Sequence, residues 1–395
     1  LIFNAVSSLT YSMIFTLYNI YVVSTAQLDP LQLVLLGTAL ELSVFIFEVP
    51  TGVVADVFSR RLSVLVGIFI IGAGFVLTGA WPSFWPILVG QVLWGLGYTF
   101  TSGAQQAWIS DEIGEERATA AFLRSAQLEN VGALVGVLLG TALGAFSLQA
   151  PIVLGGIFFF FLGGWMLLRM PEHGFHPTPA GERTTWQRMG QTLKDGLKMV
   201  RRRPALTGIL AIGLIYGLYS EGFDRLWTAH MLERFTIEGL GGLSTVTWFG
   251  LLRFVQIVLG IAALEVVNRR VDLAKPRSLA LVLILASAGL VLCLGGFALA
   301  DNFALSMGLV WLISVLRQVI GPLYTGWVNH RLDPQVRATV ISMSSQTDAL
   351  GQIAGGPVGG LVAQKLTLQA GLLLSTGMLA PVLALLGWQI KSKDE

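Results

Sequence analysis

Twelve long apolar runs follow one another along the chain, separated by short polar turns. A run of about 18 or more such residues is long enough to cross the hydrocarbon core of a bilayer as an α-helix. Only 12% of the residues are charged and 54% are hydrophobic, a balance that excludes an ordinary water-soluble domain. The sequence therefore predicts an all-α membrane protein with twelve transmembrane helices. Helices 1 to 12 are predicted at 2–24, 31–55, 62–80, 84–109, 119–146, 151–169, 204–230, 243–266, 278–300, 303–329, 338–363 and 369–390.

Positive charge is distributed unevenly between the turns. Most of the 25 Lys and Arg residues lie in segments that follow an even-numbered helix, and outside the helices only Arg234 and Lys365 lie in the others. Basic residues collect on the cytoplasmic side of membrane proteins. The pattern predicts a multi-pass protein of the cell inner (plasma) membrane with both termini in the cytoplasm.

Two segments of the sequence recur in the same order. SAQLENVGALVG at 125–136 and SSQTDALGQIAG at 344–355 share the pattern S-x-Q-x-[ED]-x-x-G-x-x-x-G at an offset of 219 residues. Asp56 and the basic pair that follows it recur at Glu265, at an offset of 209 residues. An even number of helices per repeat makes the repeats parallel, with a ligand site at their interface. The chain is therefore predicted to form two pseudo-symmetric six-helix bundles.

The repeats divide the chain into an N-terminal bundle at 1–169, a cytoplasmic linker at 170–203 and a C-terminal bundle at 204–395. The linker begins PEHGFHPTPAGERTT, which is polar and rich in Pro. Apolar residues then fall along one helical stripe, at Trp186, Met189, Leu193, Leu197 and Val200. Such a stripe is typical of an amphipathic helix on an anionic inner leaflet and also of a solvated linker helix, and both interpretations stay open.

The turn between helices 2 and 3 carries the sequence GVVADVFSRR at 52–61. A Gly, an Asp four residues later and then a basic pair resemble the signature of the major facilitator superfamily. The resemblance covers essentially the whole chain and is strongest to the twelve-helix bacterial drug/proton antiporter type. It implies a secondary transporter that works by alternating access.

The resemblance also implies a cytoplasmic gate. Its members are Gly52, Asp56, Arg60, Arg61 and Asp111, with Glu265, Arg269 and Arg270 as the second-repeat copy. Gly52 has no side chain and would let helix 2 approach a neighbour closely. Asp56 would accept hydrogen bonds from backbone N–H groups or from an Arg. A topology signal combined with a tight turn is the simpler alternative.

Glycines recur four residues apart in helix 5, from Gly132 to Gly144. The Gly-Pro-rich run that proton-coupled exporters have in helix 5 stands instead in helix 11, as GQIAGGPVGG at 351–360. Stripes of this kind predict close contact between helix backbones. A hinge at Pro357 is the alternative role.

Several ionisable residues lie inside predicted helices, where a charge costs several kcal/mol and is usually functional. The candidates for proton coupling are Glu41, Glu129, Asp348, Arg253 and Arg317. By resemblance helix 5 packs against helix 8, so we hypothesise that Glu129 pairs with Arg253 in one conformation. Helix 2 likewise packs against helix 11, so Glu41 would face Asp348, and two carboxylates in one site of low dielectric can share a proton. Static pairs that fix the helix register are the alternative.

Polar and aromatic residues share stripes on helices 1, 4 and 7. The predicted cavity lining is Tyr11, Phe15, Tyr18, Gln91, Tyr98, Gln105, Tyr216, Phe223 and Trp227. Gln91 replaces the intramembrane Arg that the family has in helix 4, and Arg317 occupies the matching place in helix 10. A lining of this kind suits an amphipathic organic molecule, although packing is the alternative. In helix 7, Glu221 and Arg225 are spaced to form a structural pair.

Other classes of protein lack support in the sequence. No GxxxxGK[ST] loop for ATP phosphates occurs, and the single Cys293 excludes an internal disulfide and a cysteine-based metal cluster. The four His residues suggest no metal site, and the scattered basic turns suggest no nucleic-acid partner.

We therefore predict a monomeric secondary transporter and not an enzyme. It would export small amphipathic organic molecules, with the proton gradient as driving force and no bound cofactor or metal. An uptake symporter or a flippase for lipid-like substrates is the alternative within transport. A non-transporting receptor or scaffold is the alternative from another class.

Overall fold

The computed structural model describes residues 1–177, 204–272, 275–331 and 334–391, and within these ranges the chain is helical with no strand. Helices 1 to 6 are Ile2–Phe15 with Tyr18–Ile20 and a π-turn at Tyr21–Thr25, Pro30–Val57, Arg60–Ala80, Phe84–Thr101 with Ala104–Ile113, Glu115–Gly144, and Ala150–Arg169. Helices 7 to 12 are Pro204–Arg234, Thr245–Arg270, Pro276–Leu299, Phe303–Arg331, Pro334–Lys365, and Leu368–Leu379 with Pro381–Lys391. Every predicted helix is present.

Ten of these helices, in the described part of the chain, are long and apolar enough to cross a membrane. The other two are helices 4 and 11. Helix 4 ends its first segment at Thr101, and helix 11 contains the polar run SSQTD at 344–348. The predicted all-α membrane fold is confirmed.

Three predicted helices are interrupted, and the first of them, helix 1, breaks at Thr16 and Leu17. Gly103 has φ +68°, a conformation that residues with a Cβ rarely adopt, and it separates the two segments of helix 4. The second segment reaches Ile113, beyond the predicted end at 109. Helix 12 is divided at Ala380, because Pro381 has no N–H to donate to the helical ladder.

The glycine stripes press helix backbones together, as predicted. A Cβ at Gly132 would overlap the carbonyl oxygen of Ala5 in helix 1, and one at Gly136 would overlap that of Leu9. In the second repeat, Gly351 meets helix 7 in the same way. Its contact is the carbonyl of Leu214, which lies 209 residues after Ala5, the offset already seen in the loop motif. The two sequence repeats therefore share the same contact between a glycine and a backbone carbonyl.

The described chain forms two compact units. Unit 1 contains helices 1 and 3 to 6, helix 2 from Ala39 and helix 8 up to Arg253. Unit 2 contains helices 7 and 9 to 12, helix 8 from Phe254 and helix 2 up to Thr38. The sequence-based division into bundles stays a prediction, and its linker helix lies outside the described residues, within 178–203.

Candidate functional site

Unit 1 contains a cavity of about 450 Å³ between helices 1, 3, 4, 5 and 6. Its polar lining includes Asn4, Ser7, Ser8, Gln105, Gln106 and Glu129. The break in helix 4 also lines it, at Ser102 and Gly103. Tyr11 and Tyr98, two of the candidates for the substrate cavity, belong to the wall. The cavity therefore combines amides, hydroxyls and aromatic rings with a single carboxylate.

A hydrogen-bond network fixes that carboxylate. Asn4 Nδ2 donates to Glu129 Oε1 at 2.8 Å and to Ser125 Oγ at 2.7 Å. Ser125 Oγ donates to the same carboxylate oxygen at 3.0 Å, and Gln105 Nε2 donates to Asn4 Oδ1. Ser8 Oγ donates to the backbone carbonyl of Glu129 at 2.7 Å. The predicted residues Gln105 and Glu129 are thus brought together through Asn4, which lies on the polar and aromatic stripe of helix 1.

Three predicted lining residues lie elsewhere in unit 1. Tyr18 and Gln91 are each 1% exposed, and Gln91 Nε2 donates to the Tyr18 hydroxyl at 2.7 Å. Neither belongs to the wall of this cavity, because the two side chains are buried and bonded to each other in the packed interior. Phe15 packs on Trp94, with ring centroids 4.9 Å apart, and is not part of this cavity wall.

Unit 2 contains a second cavity, of about 400 Å³, between helices 7, 10 and 11. Arg317 of helix 10 and Asp224 of helix 7 form a two-pronged ion pair in its wall. Nη2 of Arg317 lies 2.7 Å from Oδ2 of Asp224, and Nη1 contacts Oδ1. Asp348 of helix 11 also lines the cavity and accepts a hydrogen bond from Gln352 Nε2 at 2.8 Å.

Aromatic residues complete the second cavity. Tyr216, a candidate for the substrate cavity, lines it together with Tyr219 and Tyr324. Phe223 is not part of this wall and packs edge-on against Phe297, with ring centroids 5.8 Å apart, so its predicted lining role stays a prediction.

Two further predictions concern helix 7. Trp227 is not part of the wall of the second cavity. Arg225 Nε lies 2.7 Å from Glu221 Oε1, which confirms the predicted structural pair.

Two hypothesised pairings between charged residues stay predictions. The side chain of Glu129 bonds Asn4 and Ser125 in this structure, whereas its pairing with Arg253 was hypothesised for one conformation. Glu41 belongs to unit 1 and Asp348 to unit 2.

The predicted gate is partly assembled in unit 1. Arg60 forms an ion pair with Asp111, which joins the start of helix 3 to the end of helix 4. Arg61 Nη2 donates to the carbonyl of Leu167 at the end of helix 6, at 2.6 Å. In the second repeat, Glu265 and Arg269 pair within helix 8 and both are exposed.

Three residues of the predicted gate, Gly52, Asp56 and Arg270, do not make the contacts expected of a gate in this structure. A Cβ at Gly52 would meet no atom within 4 Å, so the expected close approach of helix 2 to a neighbour is wrong here. Among the described residues, Asp56 makes no hydrogen bond with Arg60, which pairs instead with Asp111. Arg270 is exposed at the end of helix 8.

Sequence reasoning missed a clasp formed by residues 171–177, which follow helix 6. Glu172 Oε1 accepts the backbone N–H of Arg61 at 2.8 Å, and Glu172 Oε2 accepts the hydroxyl of Ser59 at 2.7 Å. Glu112 accepts the backbone N–H groups of His173 and Gly174, at 2.6 and 2.8 Å. This clasp binds the start of the linker to the gate side of unit 1.

Comparison with known proteins agrees with the predicted fold. The family model of the Major Facilitator Superfamily matches residues 1–356. The "Uncharacterized MFS-type transporter YxaM" of Bacillus subtilis (strain 168) is 23% identical over 377 residues, which are 93% of this chain and 89% of YxaM.

Solved structures share the fold at low sequence identity. The nucleoside transporter NupG has a TM-score of 0.79 at 15% identity, covering 99% of this chain and 98% of NupG. A bacterial homologue of the human lysosomal transporter Spinster, in an inward-facing and occupied conformation, has a TM-score of 0.72 at 13% identity, covering 99% and 96% of the two chains. Since the family model spans most of the sequence, this chain belongs to the Major Facilitator Superfamily of membrane transporters.

Proposed function

We propose that this transporter exports small amphipathic organic cations across the plasma membrane in exchange for protons, working as a monomer. The observation that carries the proposal is the charge of the two cavities. In unit 1 the lining contains one acid, Glu129, and no base. In unit 2 the lining contains the acids Asp224 and Asp348 and one base, Arg317. Each lining thus carries a formal net charge of −1 when its acids are ionised.

The position of the two acids supports the same proposal. Glu129 and Asp348 occupy equivalent places in the repeat, 219 residues apart. A negative charge held within a membrane is costly, and a bound proton or a bound cation offsets that cost. A carboxylate that holds one or the other, but not both, couples the two fluxes in opposite directions.

Coupling requires more than a binding site. The proton and the substrate must each differ in affinity between the two states that open to opposite sides of the membrane. Proton entry to an emptied cavity would then release the organic cation. Mutual exclusion of this kind favours exchange over the alternative of uptake by symport, in which both ligands bind together.

We infer the substrate class from the residues that line the cavities and not from the substrates of related proteins. The structural neighbours include nucleoside and peptide transporters, so the shared fold does not select a substrate. Aromatic rings supply apolar contact, while amides and hydroxyls orient a polar group. Volumes of about 450 and 400 Å³ are in the range of small organic ligands.

The test is exchange in proteoliposomes that contain the purified full-length protein and a pH-sensitive dye. An outward concentration gradient of an organic cation should drive proton influx, and a proton gradient should drive accumulation of the cation. Glu129→Gln and Asp348→Asn should each uncouple the two fluxes. Glu116→Gln removes an equal charge from an exposed site outside both cavities and should behave like the wild type.

Three outcomes would overturn the proposal. Cation movement that ignores the pH gradient would exclude proton coupling. Movement of proton and solute in the same direction would favour a symporter. No movement of any organic cation, neutral drug, sugar or lipid analogue would favour a receptor or scaffold.

A further inference from the structure

We propose that the cavity of unit 2 contains a tyrosine box, formed by Tyr216, Tyr219 and Tyr324, that selects quaternary or charge-delocalised organic cations. The inference rests on the proposed function and names the chemical class of its substrate. Cations that carry no N–H donors are recognised by the negative faces of aromatic rings and by nearby carboxylates. Both features meet in this cavity.

The three rings lie close together in one wall. The ring centroids of Tyr216 and Tyr219 are 6.4 Å apart, and those of Tyr216 and Tyr324 are 5.8 Å apart. Both pairs are steeply inclined, at 63° and 74°, so that the rings meet edge to face and are not stacked. All three line the cavity.

The hydroxyls of all three rings are bound to the protein, and that of Tyr219 interacts with Arg317. The Tyr216 hydroxyl lies 2.8 Å from Ser287 Oγ. The Tyr324 hydroxyl donates to the carbonyl of Ile209 at 2.8 Å and lies 3.0 Å from Ser344 Oγ. These bonds hold the rings in place and occupy their polar ends. With their hydroxyls engaged, these tyrosines can bind a ligand through their aromatic rings.

A cation already lies against the box. Cζ of Arg317 is 5.8 Å from the ring centroid of Tyr219, within the range of a cation–π interaction. Asp224 neutralises this guanidinium through a two-pronged pair. Asp348 remains as the carboxylate that lines the same cavity without a base bound to it, since its hydrogen-bond partner is Gln352. A ligand cation would therefore balance the charge of Asp348.

The box is specific to unit 2. Helices 1 and 7 correspond at an offset of 209 residues, so Ser7 and Thr10 stand where unit 2 has Tyr216 and Tyr219. Unit 1 therefore lacks two of the three rings, although its cavity has other aromatic residues, among them Tyr11 and Tyr98. The set of three tyrosines belongs to unit 2, and the proposal places the recognition of the cation there.

The experiment measures binding to the purified full-length protein by titration calorimetry. The probes are phenyltrimethylammonium and its neutral isostere tert-butylbenzene. We expect the wild type to prefer the cation by about tenfold or more. Tyr216→Leu, Tyr219→Leu and Tyr324→Leu should each weaken cation binding by about five-fold or more, whereas Tyr216→Phe keeps the ring and should stay within about two-fold.

Two controls separate recognition from folding. Phe146→Leu removes a ring that is 90% exposed and outside both cavities, so its affinity should equal that of the wild type. Gel filtration and thermal melting identify any variant that fails to fold, and Tyr216→Phe provides a comparison that removes only a hydroxyl.

The outcomes distinguish the box from the proposed function. Equal binding of the charged and neutral probes, or folded Leu variants with wild-type affinity, would exclude the box. If proton-coupled exchange of other cations persisted in that case, the proposed function would stand without it. A wild type that neither binds the probe nor exchanges any cation for protons would overturn both.

Discussion

The carboxylate of Glu172 accepts a hydrogen bond from the hydroxyl of Ser59, 113 residues earlier in the chain, at 2.7 Å. Ser59 is the residue that caps helix 3, and its hydroxyl also accepts the N–H of Leu62. The second oxygen of Glu172 accepts the N–H of Arg61 in the first turn of the same helix. Linker, loop and helix start therefore form one hydrogen-bonded junction.

We expect Glu172→Gln to lower the thermal stability of the protein. An amide presents one acceptor where the carboxylate presents two, and it does not complement the positive end of helix 3. The loss should be about 1 kcal/mol, the usual effect of removing a helix cap. Melting curves in detergent measure it, with Glu233→Gln as the control, because Glu233 is exposed and lies in the last turn of helix 7. Equal melting temperatures would show that the clasp contributes no stability.

The pair of Arg60 with Asp111 should matter by its charge and not by the identity of its residues. Arg60→Glu places two acids together, and we expect at least about a tenfold loss of transport because like charges repel in this junction. Adding Asp111→Arg reverses both charges and should restore a large part of the activity. Transport assays on the single and double variants decide the matter, and a double variant as inactive as the singles would contradict this expectation.

Gly136 should tolerate no side chain. Its Cβ would overlap the carbonyl oxygen of Leu9, and a backbone atom cannot move aside as a side chain can. We expect Gly136→Ala to cost about 1–3 kcal/mol, as overpacking does. Gly164→Ala is the matched control, because a Cβ there meets no atom within 4 Å. The control should be neutral or slightly stabilising, and similar melting temperatures for both variants would refute the close contact.

Arg317→Lys should fail to replace the arginine. A guanidinium holds both oxygens of Asp224, whereas an ammonium is a single point of charge. Losing one charge-assisted hydrogen bond corresponds to about a tenfold loss of transport. Transport by the lysine variant close to that of the wild type would show that charge alone is sufficient at this site.

Cysteine labelling tests the proposed orientation of the chain. In a Cys293→Ser background, Leu366→Cys and Phe58→Cys place single thiols in exposed turns, at residues 71% and 68% exposed. With both termini in the cytoplasm, a membrane-impermeant maleimide should label position 366 in intact cells. It should label position 58 only after permeabilisation. The reverse pattern would invert the topology.

Sequence reasoning predicted the parts of the fold that depend on local composition. Helices follow from apolar length, and the Gly132 and Gly351 contacts follow from a spacing that keeps small residues on one face. The pair of Glu221 with Arg225 follows from a separation of four residues within one helix.

The site was predicted less completely, because it depends on how each helix is rotated. Asp224 and Arg317 are 93 residues apart, and nothing in the sequence around either residue shows that the two side chains meet in one cavity. The need of an intramembrane base for an acid was the available signal. Tyr18 and Gln91 were assigned to a cavity on the basis of polarity, but each found a partner in the interior. A glycine at position 52 does not by itself indicate whether a neighbouring helix lies close, and in this structure none does.

The backbone contact at Gly136 and its counterpart at Gly355 has a consequence for movement. Where backbones touch directly, no side-chain rearrangement can absorb a shift of one helix along the other. Each joined pair of helices, 1 with 5 and 7 with 11, should therefore move as one rigid body. Glu129 in helix 5 and Asp348 in helix 11 belong to these rigid helix pairs. Adjustments of shape within unit 1 should therefore concentrate where the helical hydrogen bonds are already interrupted, at Gly103 in helix 4 and at Leu17 in helix 1.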